Sequence, residues 1–302
     1  MIPADRRRLS RLLSTLADAS VAEALRLIRP HGENCYRIGV TGAPGTGKST
    51  LVARLALYRL RAGGGLAIIA IDPTSPISGG AILGDRIRMD MLATDPRVYI
   101  RSLASRTSVD GLADNLPDIL AALDGFGFSD VIVETVGVGQ VEYAIRALVD
   151  TLILVLTPGA GDQVQAMKSG ILETADIYVI NKADQPGAAQ LAAELRSVLK
   201  QRGRIAQDWA PPILLTSTAD ATSLSRIAAE IDRHQAWVRD SGQWPAMHGV
   251  RQRQHVRSLI VRRVDELLRE ATPQAGQLPI DALYAAITGK LAGPGSADPP
   301  AG

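Results

Sequence analysis

The 302-residue chain has one cysteine, Cys35. A disulfide within the chain is excluded, and this usage fits a reducing compartment, so we expect a cytoplasmic protein. A single cysteine beside a strand start reads as a small core residue rather than a reactive thiol. Aromatic residues make up only 4% of the chain, against 46% hydrophobic residues. The core must then come from Ala, Leu, Ile and Val, which suit helices packed on a parallel sheet. There is no apolar run of about 18 residues, and none follows the arginines of MIPADRRRLSRLLSTLADAS. We therefore expect neither a membrane span nor a signal peptide. Charge of one sign is also lacking. The formal net charge is +2, too small to argue for a nucleic acid or a membrane as partner. The four histidines, His31, His234, His248 and His255, are scattered without metal-ligand spacing. They read as surface or helix residues.

What is present is alternation. YRIGVTG (36–42), LAIIAID (66–72), VIVET (131–135), TLILVLT (151–157), DIYVINK (176–182) and PILLTS (212–217) read as six apolar strands. Helical patterns occupy 8–29, 48–61, 83–94, 109–124, 140–149, 162–175 and 187–201. Strands alternating with helices imply right-handed βαβ units and a parallel sheet covered on both faces. Ligands then sit at the carboxyl ends of the strands. From about 222 onward the pattern is helical. Residues 246–270 predict a long arginine-rich helix with an apolar stripe of Val256, Leu259, Ile260, Val264, Leu267 and Leu268. A short helix over 279–291 and the tail AGPGSADPPAG follow. The expected division is an N-terminal helical extension (1–34), a nucleotide-binding domain (35–240), a helical arm (241–292) and a disordered tail (293–302).

Gly42-Ala43-Pro44-Gly45-Thr46-Gly47-Lys48-Ser49 matches G-x-x-x-x-G-K-[ST] between a strand and a helix. Glycines let backbone N–H groups approach an anion, and the helix N-terminus adds a favourable field. Lys48 is placed to reach the β- and γ-phosphates. Ser49, followed by Thr50, is placed to put its hydroxyl on Mg²⁺. A nucleoside triphosphate is implied. Its base is indicated by Asn181-Lys182-Ala183-Asp184, the N-K-x-D spacing at a strand end. An Asp carboxylate accepts the paired N1–H and N2–H₂ of guanine, which adenine does not offer, and the wrong base leaves such groups unpaired. The Lys stem lies along the base plane, and Asn holds the loop. Thr216, Ser217, Thr218 and Ala219, after the last strand, are expected to close over the base through backbone N–H groups.

Three acids sit at strand-end loops: Asp72, Asp85 and Glu134. Acids there are positioned for Mg²⁺, directly or through water. Gly137, in the loop after Glu134, is placed to turn its N–H toward the γ-phosphate. GAPGTGKST, IDPTSPISGGAILGDRIRM, ETVGVGQVE, TPGAGDQVQAMKSGI and INKAD, in this order, resemble the MeaB/ArgK family of P-loop GTPases. The resemblance covers roughly residues 15–270 and is most specific over 38–185. It implies an α/β fold, a three-layer P-loop NTPase with a mostly parallel sheet, an N-terminal helix and a C-terminal helical dimerisation arm. It implies a GTPase chaperone of adenosylcobalamin-dependent acyl-CoA mutases, chiefly methylmalonyl-CoA mutase, acting as a homodimer. Mg²⁺ is the implied metal, held around Ser49, Asp72, Asp85 and Glu134. GTP or GDP is the ligand, and no organic cofactor is tightly bound. ETVGVGQ is then a switch. Thr157 to Lys168 is a second switch facing the mutase, with Lys168 at its end. The chain departs from the family at Pro76-Ile77, Val164 and Ala166-Met167, in loops that face a partner.

The implied reaction is attack of water on the γ-phosphoryl of GTP, with Lys48 and Mg²⁺ stabilising the developing charge. Gln140 reads as structural or partner-facing rather than as the residue that orients the water. Arg86, Arg88 and Arg106 supply no obvious arginine finger. Slow intrinsic turnover, raised by a partner that orders the loops, is the expectation. The long helix reads as a dimer arm with its stripe packed and its arginines solvated. Two alternatives remain: a metal-insertion GTPase of the nickel-loading kind, and a transport-associated nucleotide-dependent kinase.

Overall fold

The computed structural model describes residues 3–28, 35–73, 92, 94–105, 115–135, 141–159, 172, 174–201, 209–275 and 279–292. Among them, the single helix read over 8–29 is two helices. α1 spans Pro3–Asp18 and α2 spans Val21–Leu27. The break is chemical: Ser20 leaves helical geometry and its side chain accepts the Glu23 N–H, a cap that starts a second helix.

The sheet is built from β1 (Tyr36–Thr41), β2 (Leu66–Pro73), β3 (Val98–Ser105), β4 (Asp130–Thr135), β5 (Thr151–Leu156), β6 (Ile177–Ile180) and β7 (Ile213–Leu215). All pairings are parallel, and the order is β3-β2-β4-β1-β5-β6-β7. β3 is a strand that sequence patterning did not reveal. Among the described residues it is an edge strand, paired only with β2, and its sequence VYIRSLAS carries Arg101 and Ser102 in mid-strand. An edge needs no continuous apolar run, so the cue that marks its neighbours is missing.

Side chains alternate between two buried faces. Ile38 and Val40 of β1, Ile68 of β2, Ile132 of β4, Ile153 and Val155 of β5 and Val179 of β6 enter one core. It is closed by α3 (Lys48–Arg59) and α7 (Ser223–Asp240). The opposite residues, such as Ile69, Val131, Val133 and Leu152, pack under α4 (Leu116–Asp124) and α5 (Val141–Arg146), with Leu9, Leu13 and Leu16 of α1. Farther along that face Leu154, Tyr178 and Ile180 meet α6 (Ala188–Gln201). The result is a helix–sheet–helix sandwich, as expected for continuously apolar parallel strands. Cys35 is buried at the mouth of β1, where its thiol donates to the Phe128 carbonyl at 3.1 Å. Burial, reinforced by Asp124, pushes that thiol up to about 12. It is a core residue, as its position suggested.

Beyond α7 lie α8 (Trp244–Ala275) and α9 (Ile280–Ala292). α8 corrects the expectation of solvated arginines. Arg251 is buried and pairs with Asp150, and Arg262 pairs with Asp118 together with His255, whose Nε2 lies 2.6 Å away. Both carboxylates are fully buried in the α/β unit, so each needs a cation brought to it. The apolar stripe is also divided. Leu267 is buried, whereas Val256, Ile260 and Leu268 remain exposed. The patterns over 83–94 and 162–175 lie almost wholly outside the described residues.

Candidate functional site: a phosphate loop beside a base-reading loop

The order of strands reverses around β1, whose neighbours are β4 and β5. A crevice at the carboxyl ends of the strands follows from that reversal. There β1 ends at Thr41 and the chain turns through Gly42–Gly47 into α3. Gly42 has φ 145°, and a Cβ on it would lie 2.2 Å from the Val155 carbonyl oxygen. Gly47 has φ 88°, and its Cβ would meet Asn181 Nδ2 at 2.6 Å. Only glycine lets the loop pass its neighbours this closely. Thr46 Oγ1 and Lys48 Nζ each donate to the Ala43 carbonyl at 2.9 Å. The loop is therefore closed on itself, with the ammonium folded across it. α3 begins at Lys48, directly after the loop, and the field of a helix N-terminus there favours an anion.

Ser49 Oγ donates to Glu134 Oε1 at 2.7 Å. Parallel register sets Glu134 opposite Val40, level with the entry to the loop. Thr135 Oγ1 donates to Thr41 Oγ1 at 3.0 Å and ties the two strand tips together. Ser49 and Glu134 are both buried. Adjacent oxygens around an octahedral Mg²⁺, with bonds of about 2.0–2.1 Å, stand about 2.9 Å apart. A hydroxyl and a carboxylate oxygen already at 2.7 Å fit that ion. The backbone of Asp72 lies at the end of β2, opposite Ala104 and just past the Ile71–Thr135 pairing. Asp85, Gly137, Gln140 and Lys168 lie outside the described residues, as does most of the segment from Thr157 to Lys168.

The second loop follows β6. Asn181 Nδ2 donates to the Thr46 carbonyl at 2.8 Å, and Lys182 Nζ donates to the Gly45 carbonyl at 2.9 Å. Two members of the N-K-x-D run thus clasp the phosphate loop, 135 and 137 residues away. Thr216 Oγ1 donates to Asn181 Oδ1 at 3.3 Å, which orients the amide. Lys182 takes φ 56°, the one positive φ at a non-glycine among the described residues. Such strain persists only where surroundings over-determine it. Asp184 remains exposed. Its Oδ1 accepts the Ser217 hydroxyl at 2.7 Å, and that bond holds its carboxyl below the usual carboxylate range.

Sequence reading assigned the loop after β7 to backbone N–H contacts. The structure shows several of those groups engaged within the protein. Thr216 N donates to the Ile180 carbonyl, Ser217 N to Ser223 Oγ and Ala219 N to Ser217 Oγ. The Ser217 hydroxyl, not foreseen as a partner of Asp184, makes the link instead. The hydroxyl-rich run TSTADATS was the available signal. Among the described residues, no group of three His, Cys, Asp or Glu side chains is arranged to hold a metal ion. No helix among them is long and apolar enough to cross a membrane. His234, read as a surface or helix residue, is on a helix but buried.

A seven-stranded parallel sheet with a glycine loop after its central strand, and a serine beside a strand-tip acid, defines a P-loop nucleoside triphosphatase. The fold agrees with a crystal structure described as LAO/AO transport system kinase, at a TM-score of 0.64 and 25% identity, covering 95% of this chain and 93% of that one. The chain belongs to the family described as Methylmalonyl Co-A mutase-associated GTPase MeaB, whose model matches residues 11–273. By that membership it is a P-loop GTPase. GTPase ArgK of Escherichia coli is 35% identical over 249 residues, spanning 82% of this chain and 74% of that protein. The mitochondrial methylmalonic aciduria type A homolog of Mus musculus is 34% identical over 223 residues, covering 73% of this chain and 53% of its own length.

Proposed function

We propose that the chain binds GTP with Mg²⁺ at this crevice and hydrolyses it, and that the cycle gates adenosylcobalamin loading and protection or reactivation of an acyl-CoA mutase. The observation that carries the nucleotide reading is the clasp of Asn181 and Lys182 on the carbonyls of the phosphate loop. It joins a base-reading loop and a phosphate-reading loop into one site. The mutase reading is supported by membership of a family named for its association with methylmalonyl-CoA mutase.

In this reading Gly42–Thr50 cradle the phosphates. Lys48 leaves the Ala43 carbonyl for the β- and γ-oxygens. Ser49 and Glu134 would hold Mg²⁺, with Asp72 and Asp85 around it. Bound there, the ion supplies charge neutralisation on the phosphate oxygens. Water attacks the γ-phosphorus, the bond to the β-bridging oxygen breaks, and GDP and phosphate leave. Gly137 senses the γ-phosphate, and Lys168 closes the second switch. Asn181, Lys182 and Asp184 read guanine, with Ser217, Thr218 and Ala219 lining the base. α8 and α9 form the homodimerisation arm, and the protein works in the cytoplasm without nucleic acid or membrane.

The test is GTP hydrolysis with and without adenosylcobalamin-dependent mutases, against Lys48→Ala. We expect the variant to lose about a hundredfold or more in turnover, and one mutase to raise wild-type turnover several-fold. No response to any mutase would remove the chaperone reading and leave the GTPase. ATP binding equal to or tighter than GTP binding would instead favour a transport-associated kinase.

A further inference from the structure

Asp184 reads guanine only if its carboxylate plane is held, yet it is exposed and joined by a side-chain bond to Ser217. What holds Ser217 is therefore decisive. Its N–H donates to Ser223 Oγ at 3.3 Å, and that hydroxyl donates to Asp220 Oδ2 at 3.0 Å. Ser223 is the first residue of α7 and is 2% exposed. Asp220 is itself well anchored. Its Oδ1 accepts the Thr222 N–H and hydroxyl, both at 2.8 Å. Its Oδ2 also accepts Arg226, whose Nη2 donates to the carbonyl of Leu215, the last residue of β7. The loop is thus a closed ring running from the tip of β7 through Arg226, Asp220 and Ser223 to Ser217. Each donor in the ring finds an acceptor within it, Arg226 Nη2 finding two, and the Ser217 hydroxyl donates outward to Asp184.

We propose that Ser223 is a positioning residue for guanine selectivity, fixing Ser217 from a buried, Asp220-anchored hydroxyl so that Ser217 fixes Asp184. The inference rests on the reading of Asp184 as the guanine acceptor. Ser223 touches no nucleotide in this scheme. A lost hydrogen bond in such a relay loosens one contact rather than the whole site. The contact loosened is the paired one to N1–H and N2–H₂, so GTP, which offers both donors, loses more than a nucleotide that offers N1–H alone.

ITP lacks that group and otherwise matches GTP. The experiment measures GTP and ITP affinity by calorimetry for wild type, Ser223→Ala, Ser223→Thr and Asp184→Ala. Wild type is expected to prefer GTP. Ser223→Ala is expected to lower the GTP/ITP ratio about three- to tenfold, chiefly through GTP, while Ser223→Thr keeps the hydroxyl and the ratio. Equal weakening of both nucleotides in Ser223→Ala, or an unchanged ratio, overturns the proposal. An Asp184→Ala variant with the wild-type ratio would overturn the guanine reading itself, which is a separate result. A Ser223→Ala protein that fails to fold is replaced by Asp220→Asn, which keeps the shape of the anchor. The same two outcomes then decide.

Discussion

A methyl group at position 42 would stand 2.2 Å from the Val155 carbonyl oxygen, a backbone atom that cannot swing aside. At position 45 the backbone is also left-handed, but a Cβ would meet nothing within 4 Å. The two substitutions separate strain from collision. Gly45→Ala should cost about 1–2 kcal/mol of stability, and Gly42→Ala more than that, with no measurable GTP binding. Urea unfolding and a nucleotide titration check both. At the other end of the sheet, His234 sits in a buried cluster. Its Nδ1 shares a hydrogen bond with Thr151 Oγ1 at 2.7 Å, and Trp209 and Trp237 pack on its ring. Burial pushes its pKa below the ordinary 6.5; Asp176 opposes that shift, and Arg146 and Arg233 add to it. The unfolded chain therefore takes up this proton first as pH falls. The contribution to stability is full above about 6.5 and declines from there toward the lower folded value. We expect the urea midpoint to fall between about pH 7.5 and pH 5, and to fall less in His234→Gln. Equal slopes in both proteins would assign the effect to other groups.

Among elements, α8 is the one whose role is least visible in its own sequence. Its arginines look like a solvated face, yet two of them neutralise carboxylates buried elsewhere in the fold. Asp150 also accepts the Arg37 backbone N–H at 2.7 Å, but Arg251 is the cation paired with it among the described residues. Asp118 has two partners, Arg262 and His255. Removing one member of a buried pair strands the other charge, at about 3–5 kcal/mol. Arg251→Ala should approach that loss, and Arg262→Ala should cost clearly less because His255 remains. Equal losses in denaturant unfolding would show that the second partner does not compensate. The same helix ties down α2, since Glu266 Oε1 accepts the Val21 N–H at 2.8 Å. It is anchored to the body of the protein before any second copy is considered.

At the scale of the whole molecule, the outward side of α8 presents apolar side chains to water. Val256 and Ile260 are each 53% exposed, and Ile280 and Tyr284 of α9 are more exposed still. On the proposed dimer arm, a second copy covering this stripe would take these apolar residues out of water. Val256→Asp with Ile260→Asp should convert a dimer to a monomer in light scattering and leave intrinsic GTP hydrolysis unaltered, since neither residue is among those read as holding nucleotide or metal. A wild-type protein that is already monomeric would remove the arm reading.

The sequence by itself determined the layered α/β class, the phosphate loop and the guanine motif. Those depend on local signals: apolar runs, glycines at fixed offsets, and N-K-x-D at a strand end. Tertiary structure alone decided three things. β3 is a strand because β2 offers it an edge, and an edge strand has no apolar run to announce it. Arg251 and Arg262 are buried because Asp150 and Asp118, more than 100 residues earlier in the chain, leave charges that need partners. Ser217 serves Asp184 through a hydroxyl because a ring of bonds through Ser223 and Asp220 fixes its place. Each is a pairing between distant residues, and a pairing has no signature at either position taken alone.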